Sequence, residues 1–199
     1  MTARIWLIRH GQTAWSRDGR HTGRTDVPLT PIGEDEADAV ASELDGVRAG
    51  LVLCSPLGRA RDTARRAGLV PDEYTDDLLE WDYGAWEGRT TAEIRVELSD
   101  PTWLVWDHPI PAGPTTPGEQ LDAVARRVER VIARCEPVLA SGQDCVLVAH
   151  GHVLRILTAR WLGLPPIAGR LFALDPARIS AIGFEHETHV ICEWNGDRS

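Results

Sequence analysis

The 199-residue sequence predicts an α/β fold with a mostly parallel sheet, and three observations carry that expectation. Apolar runs of strand length alternate with longer stretches of helical period. Three times an apolar strand is followed through polar residues by a helix with recognisable start or stop residues. Near the C-terminus the pattern changes to two strands around a tight turn, which reads as a hairpin at an antiparallel edge.

The elements follow in order. RIWLIRHG (4–11) is a strand and its turn, and the next helix is TPIGEDEADAVASEL (30–44), with Thr30 as N-cap and Pro31 at the first helical position. LVLCS (51–55) is a buried strand; Ser55 is the expected N-cap and Pro56 the expected first residue of a helix that Gly68 ends. In GEQLDAVARRVERVIARCE (118–136), Leu121, Val124, Val128, Val131, Ile132 and Cys135 recur at helical spacing and form a core-facing stripe. DCVLVAHGH (144–152) is a third buried strand feeding a helix that Gly163 ends, and ISAIGFEHETHVICEWN (179–195) is the hairpin. One domain over 1–199 is expected, with no internal repeat.

Composition excludes several function classes. A net charge of −9 argues against a nucleic-acid surface, which shows as a basic excess. All 21 basic residues are arginine. The opening residues lack a signal-peptide pattern and no apolar run is long enough to span a membrane, so a cytoplasmic protein without membrane partners is expected. The four cysteines, Cys54, Cys135, Cys145 and Cys192, are widely spaced among apolar neighbours, which suits buried thiols better than disulfides or zinc.

The polar residues at the strand ends carry the chemistry. Arg9 and His10 follow the first strand, Ser55 and Arg59 the second, and His150, Gly151 and His152 the third. Ligands of open α/β sheets bind beyond the carboxyl ends of the strands. Two histidines and two arginines gathered there would repel one another unless an anion binds among them, and helix N-termini following the second and third strands would add amides. Phosphate is the natural occupant. Flanking arginines weigh against a zinc ion. His21, His108, His186 and His189 are expected on the surface or in loops.

Together LIRHGQTAWSRDGRHTGRTDVPLTPIGEDEA, CSPLGRARDTA, LLEWDYGAWEG and VAHGHVLRIL resemble the histidine phosphatase superfamily along nearly the whole chain, most closely its short bacterial acid phosphatases of actinobacterial type. The resemblance implies the phosphoglycerate mutase-like fold, a three-layer α/β/α sandwich. It implies that His10 attacks phosphorus and becomes a phosphohistidine. Arg9, Arg59 and His150 would hold the phosphoryl oxygens, and Glu80 would protonate the leaving oxygen and then deprotonate water. Asp82 and Glu87, its close neighbours, are expected to be structural. Ser16, Thr22, Gly23 and Gly151 match positions near the phosphate, although Ser16 stands where the mutases commonly have Asn.

Cofactor-dependent mutases hold a second acidic group with basic residues in an insertion before the last long helix. Here that stretch, part of a small lid segment expected at about 81–118, holds Arg89 and Arg95 and no lysine. Trp81, Trp86, Trp103 and Trp106 either wall a substrate mouth or pack the segment onto the domain, and Thr90 with Glu93 forms a capping box. The resulting expectation is a phosphomonoesterase that needs no metal or cofactor and acts on a small phosphorylated metabolite. A phosphoglycerate mutase is the alternative, and a non-catalytic binder of phosphate or phosphoprotein a more distant one. Monomer and homodimer both stay open.

Overall fold

The computed structural model describes residues 3–196. In chain order its elements are β1 (Ile5–Arg9), α1 (Ala14–Arg17), α2 (Pro31–Glu43), β2 (Ala49–Cys54), α3 (Gly58–Arg66), β3 (Glu73–Tyr74), α4 (Thr91–Leu98), α5 (Leu121–Ala140), β4 (Asp144–Ala149), α6 (Gly151–Trp161), β5 (Ile179–Glu185) and β6 (Thr188–Gly196). The strands form one six-stranded sheet in the order β3-β2-β4-β1-β5-β6. The pairs among β1 to β4 are parallel, while β5 lies antiparallel to β1 and β6 to β5. A parallel sheet with an antiparallel edge is what the sequence predicted.

Strand alternation sorts the core into two faces. Ile5, Leu7, Leu53, Cys145 and Leu147 pack with Val124, Val128 and Val131 of α5 and with Val153, Leu154 and Leu157 of α6. Trp6, Ile8, Val52, Cys54, Val146 and Val148 pack with Val40 of α2 and Ala60 and Ala64 of α3. The result is a three-layer α/β/α sandwich. Helix α2 starts where Thr30 accepts a hydrogen bond from the Gly33 amide, with Pro31 behind the cap. The predicted stripe of α5 faces the core, with Leu121 and Ile132 at its margin.

Three expectations are corrected. Helix α3 begins at Gly58 with Leu57 as N-cap, not at Pro56 after Ser55. The Ser55 amide instead prolongs the sheet by donating to Val148 O at 2.9 Å, and its hydroxyl turns toward His150. Cys192 is exposed on the outer strand β6, whereas Cys54, Cys135 and Cys145 are buried. His21 is buried rather than superficial, held between Tyr83 and Trp103. His108, His186 and His189 are exposed as expected.

Over residues 81–118, Trp81, Trp86, Trp103, Trp106, Ile94 and Ile110 join the same core cluster as α5 and α6. Of the two roles open to the tryptophans, packing is the one they fill. The Thr90–Glu93 capping box starts α4 as predicted. Among the described residues no helix is long and apolar enough to cross a membrane.

Candidate active site

Strands β2, β4 and β1 are neighbours in the sheet, so the three strand ends that carry Arg9–His10, Ser55 and His150–Gly151 lie side by side. Beyond the ends of β1 and β4 lies a cavity of about 190 Å³ lined in part by Arg9, His10, Ser16, Thr22, Glu80 and Gly151. Close backbone approach fixes the turn after β1. A Cβ on Gly11 would fall 2.2 Å from Gly33 O, and one on Gly33 would fall 2.1 Å from Gln12 O, so glycine at both lets the turn rest on the first turn of α2.

His10 is buried, and its Nδ1 lies 2.8 Å from Gly11 O. A carbonyl only accepts, so Nδ1 carries the proton and Nε2 keeps its lone pair. Burial, and after it the charges of Arg59 and Arg9, hold the imidazole pKa well below its usual 6.5, against the opposing effect of the Gly11 bond. The ring is therefore a neutral base at ordinary pH.

Arg59 and His150 form a fully buried pair behind it. The Arg59 Nε–H donates to His150 Nδ1 at 3.1 Å, Nη1 to Thr25 O at 2.8 Å, and Nη2 to Gly23 O at 2.9 Å and Thr22 O at 3.2 Å. Because arginine only donates, His150 must carry its proton on Nε2, which donates to Ser55 Oγ at 2.7 Å. Burial foremost, then Arg59 and His10, keeps His150 well below the usual histidine pKa. The His10 and His150 rings lie 5.1 Å apart, centre to centre. Neither Arg59 nor His150 lines the cavity itself, nor does Gly23.

Arg9 leans its guanidinium on the bare backbone of Gly151, where a Cβ would sit 3.4 Å from Cζ. One Nη donates to Leu174 O, while Nε is buried without a hydrogen-bond partner. Glu80 caps α6 from outside the helix. Its Oε2 accepts from His152 N, and its Oε1 from Val153 N and Trp81 N, all at 2.9 Å. Glu80 does not take the amide of Gly151, the first residue of α6, which lines the cavity. The N-terminus of α3, expected to help, is closed by Asp26, whose Oδ2 accepts from Gly58 N at 2.8 Å.

The neighbouring carboxylates are tied into backbone. Asp82 accepts from Gly84 N and Thr116 Oγ1, and Glu87 accepts from Gly23 N and Thr25 N. Glu87 thereby shapes the loop whose carbonyls hold Arg59. Ser16 closes a reciprocal cap with Thr13, and the Thr22 hydroxyl donates to Arg20 O.

Sequence reasoning missed Arg20, His21, Tyr83 and Arg155 on the cavity wall, and placed His152 at the strand end without giving it a role. Arg155 had a readable signal, since it follows Gly151 by four residues on one helix face. Tyr83 had only its nearness to Glu80. Its hydroxyl is hydrogen-bonded to His152 Nδ1. Burial lowers the His21 pKa to about 4, and burial, then Arg155 and His21, lowers that of His152 well below its usual value.

The arrangement gathers a neutral imidazole, the N-terminus of α6, arginines and a carboxyl group around one cavity. Comparison with known proteins gives the same direction. Residues 5–197 match the model of the histidine phosphatase superfamily, branch 1. An acid phosphatase of Mycobacterium tuberculosis is 43% identical over 92% of this chain and 87% of its own length. An adenosylcobalamin/alpha-ribazole phosphatase of Escherichia coli is 38% identical over 90% and 89%. The solved structure of a Mycobacterium tuberculosis open reading frame superposes with a TM-score of 0.88 at 40% identity, covering 98% of both chains.

Proposed function

This chain belongs to the histidine phosphatase superfamily, and from that premise we propose that it hydrolyses a small phosphomonoester through a phosphohistidine on His10, without a metal ion. The observation that carries the reading is the His10 imidazole, neutral, with Nδ1–H pinned to Gly11 O so that Nε2 holds the lone pair, on the wall of a cavity that Arg9 also lines. Nε2 attacks phosphorus as the P–O bond to the alcohol breaks. The leaving oxygen takes a proton from Glu80, which then takes one from the water that attacks the phosphohistidine, so inorganic phosphate departs and His10 is restored.

Arg9 Nε and the Gly151 amide meet the phosphoryl oxygens directly. Arg59 and His150 act from behind. Arg59 is already desolvated, so exchanging one loop carbonyl for a phosphoryl oxygen adds little burial cost, and its charge favours the neutral nucleophile. These cations supply the charge that a divalent ion would otherwise bring. Hydrolysis is favoured over mutation because Arg89 pairs with Glu97 and Arg95 donates to Trp103 O, and neither lines the cavity.

Acid-quenched enzyme given a phosphomonoester should carry an acid-labile, base-stable phosphate on the His10 peptide. His10→Ala should fold yet lose nearly all turnover, and activity should survive EDTA. Full activity in that variant, or loss to chelator restored by zinc, sinks the reading.

A further inference from the structure

Building on that phosphatase reading, we infer that Glu87 is a positioning residue for phosphoryl binding, acting through the backbone of residues 22–25 on Arg59. The two charged side chains grip opposite sides of one loop. Glu87 Oε1 accepts from Gly23 N at 2.9 Å and from Thr25 N at 3.0 Å, and Oε2 accepts from Gly23 N at 3.0 Å. Arg59 donates to the carbonyls of Thr22, Gly23 and Thr25. The Thr22 carbonyl and the Gly23 N–H belong to one trans peptide, in which they point in opposite directions. Its dipole therefore runs between carboxylate and guanidinium, and each charge strengthens the bond that the other makes.

Space fixes the same arrangement. A Cβ on Gly23 would fall 2.5 Å from Trp81 O and 2.7 Å from Glu87 Oε2, so the loop rests on the segment that carries Glu87 with no room between. That segment is itself held to residue 21, since Gly88 N donates to His21 O and His21 N to Arg89 O, each at 2.8 Å. Gly23, which the resemblance placed near the phosphate, is instead part of the seat of Arg59.

Arg59 depends on this seat. Burial lowers its pKa from 12.5, and the carboxylates that oppose the effect are Glu80 first, then Asp26 and Glu87. Of these only Asp26 comes within 4.0 Å, at 3.8 Å and half in solvent, so carbonyls rather than carboxylates hold the guanidinium. Thr22 O, the longest of the carbonyl contacts at 3.2 Å, is the acceptor most easily exchanged for a phosphoryl oxygen, and Thr22 also lines the cavity. The exchange leaves Arg59 in register only if Gly23 O and Thr25 O stay where they are. Glu87 holds the amide of each of those two residues.

The test is a double-mutant cycle read by the affinity for tungstate, a tetrahedral oxyanion whose binding needs no general acid. By calorimetry, Glu87→Ala should weaken tungstate roughly 10- to 100-fold, the range for one hydrogen bond to a charged group. Glu87→Gln, which keeps an acceptor for the amides, should weaken it less. In the Arg59→Ala background Glu87→Ala should cost no more than about twofold, because its route to the anion is gone. A structural role alone would cost the same in both backgrounds. Glu87→Ala should also slow release from p-nitrophenyl phosphate and from glycerol 3-phosphate by the same factor.

Undiminished tungstate affinity in Glu87→Ala, an equal loss in both backgrounds, or slowing confined to glycerol 3-phosphate, which would make Glu87 a proton donor, overturns the inference. Where an alanine variant does not fold, the glutamine variant of that residue takes its place in the cycle under the same criterion. Phosphate release by the native protein with an additive cycle removes this inference alone, whereas no release from any ester removes the phosphatase reading with it.

Discussion

Helices α3 and α6 leave the carboxyl ends of two adjacent parallel strands, yet their first turns are used differently. In α6 the carboxylate that caps the first amides is Glu80, buried and on the cavity wall, and Gly151, whose amide it does not take, lines the same cavity. In α3 the cap is Asp26, half in solvent, and the helix starts later and contributes a side chain, Arg59, from behind His10 and His150. The same strand–turn–helix unit can thus offer either its backbone dipole or a buried cation. The carboxylate that meets the first turn decides which.

The strongest way to break this contrast is Glu80→Gln. An alkoxide needs a proton as it leaves and p-nitrophenolate hardly does, so in single turnover the variant should slow phosphoenzyme formation about 10²- to 10⁴-fold with an alkyl phosphate and only mildly with p-nitrophenyl phosphate. The amide also keeps one acceptor where Glu80 has two, leaving a backbone N–H of α6 unsatisfied at about 1–3 kcal/mol, readable in urea unfolding. Equal slowing of both esters, or an alkyl-selective defect in Asp82→Asn instead, would move the acid role away from Glu80.

That contrast marks where sequence reading stops. Strand ends, apolar alternation and the Thr30–Pro31 start are local, so the sheet and the gathering of Arg9, His10, Arg59 and His150 at one end of it were legible. The direction of the Arg59 fork was not, because its acceptors are carbonyls of residues 22, 23 and 25, and a carbonyl leaves no trace in side-chain identity. Ser55 was misread for the same reason: cap residues are recognised by type, and its hydroxyl was claimed by His150 across 95 residues of sequence. His21 looked superficial because polar neighbours in sequence hide the aromatic shelf of Tyr83 and Trp103.

Desolvation at the α6 side sharpens the comparison through pH. His10, His21, His150 and His152 all have folded pKa values below the unfolded value near 6.5. Above about pH 6.5 both states leave them neutral and the stability is intact. As pH falls below that value the unfolded chain takes protons that the native state refuses, so stability declines, by up to about 1.4 kcal/mol per unit for each group. For His21 the decline runs from about pH 6.5 down to its folded pKa of about 4. Urea unfolding of His21→Gln across that window should show a shallower loss than the native chain, with the difference vanishing above neutrality. Parallel pH profiles would show that His21 titrates like an exposed imidazole.

Asp26→Ala probes the other helix and should have the smallest effect. Its Oδ2 accepts from Gly58 N at 2.8 Å, and Oδ1 lies 3.8 Å from Arg59 Nη1. The first bond is a helix cap donated from another loop, and losing such an acceptor costs about 1 kcal/mol. The second is a long contact to a carboxylate half in water, where screening leaves little. Arg59 keeps its bonds to Thr22, Gly23, Thr25 and His150, so His10 retains the buried charge behind it. The melting temperature should fall by about 2–4 °C, the shift expected for that free energy in a chain of this size, while kcat/KM stays within a few-fold. An activity loss above tenfold with the fold intact would mean that the first turn of α3 acts on the substrate as that of α6 does, and the two helices would no longer be different devices.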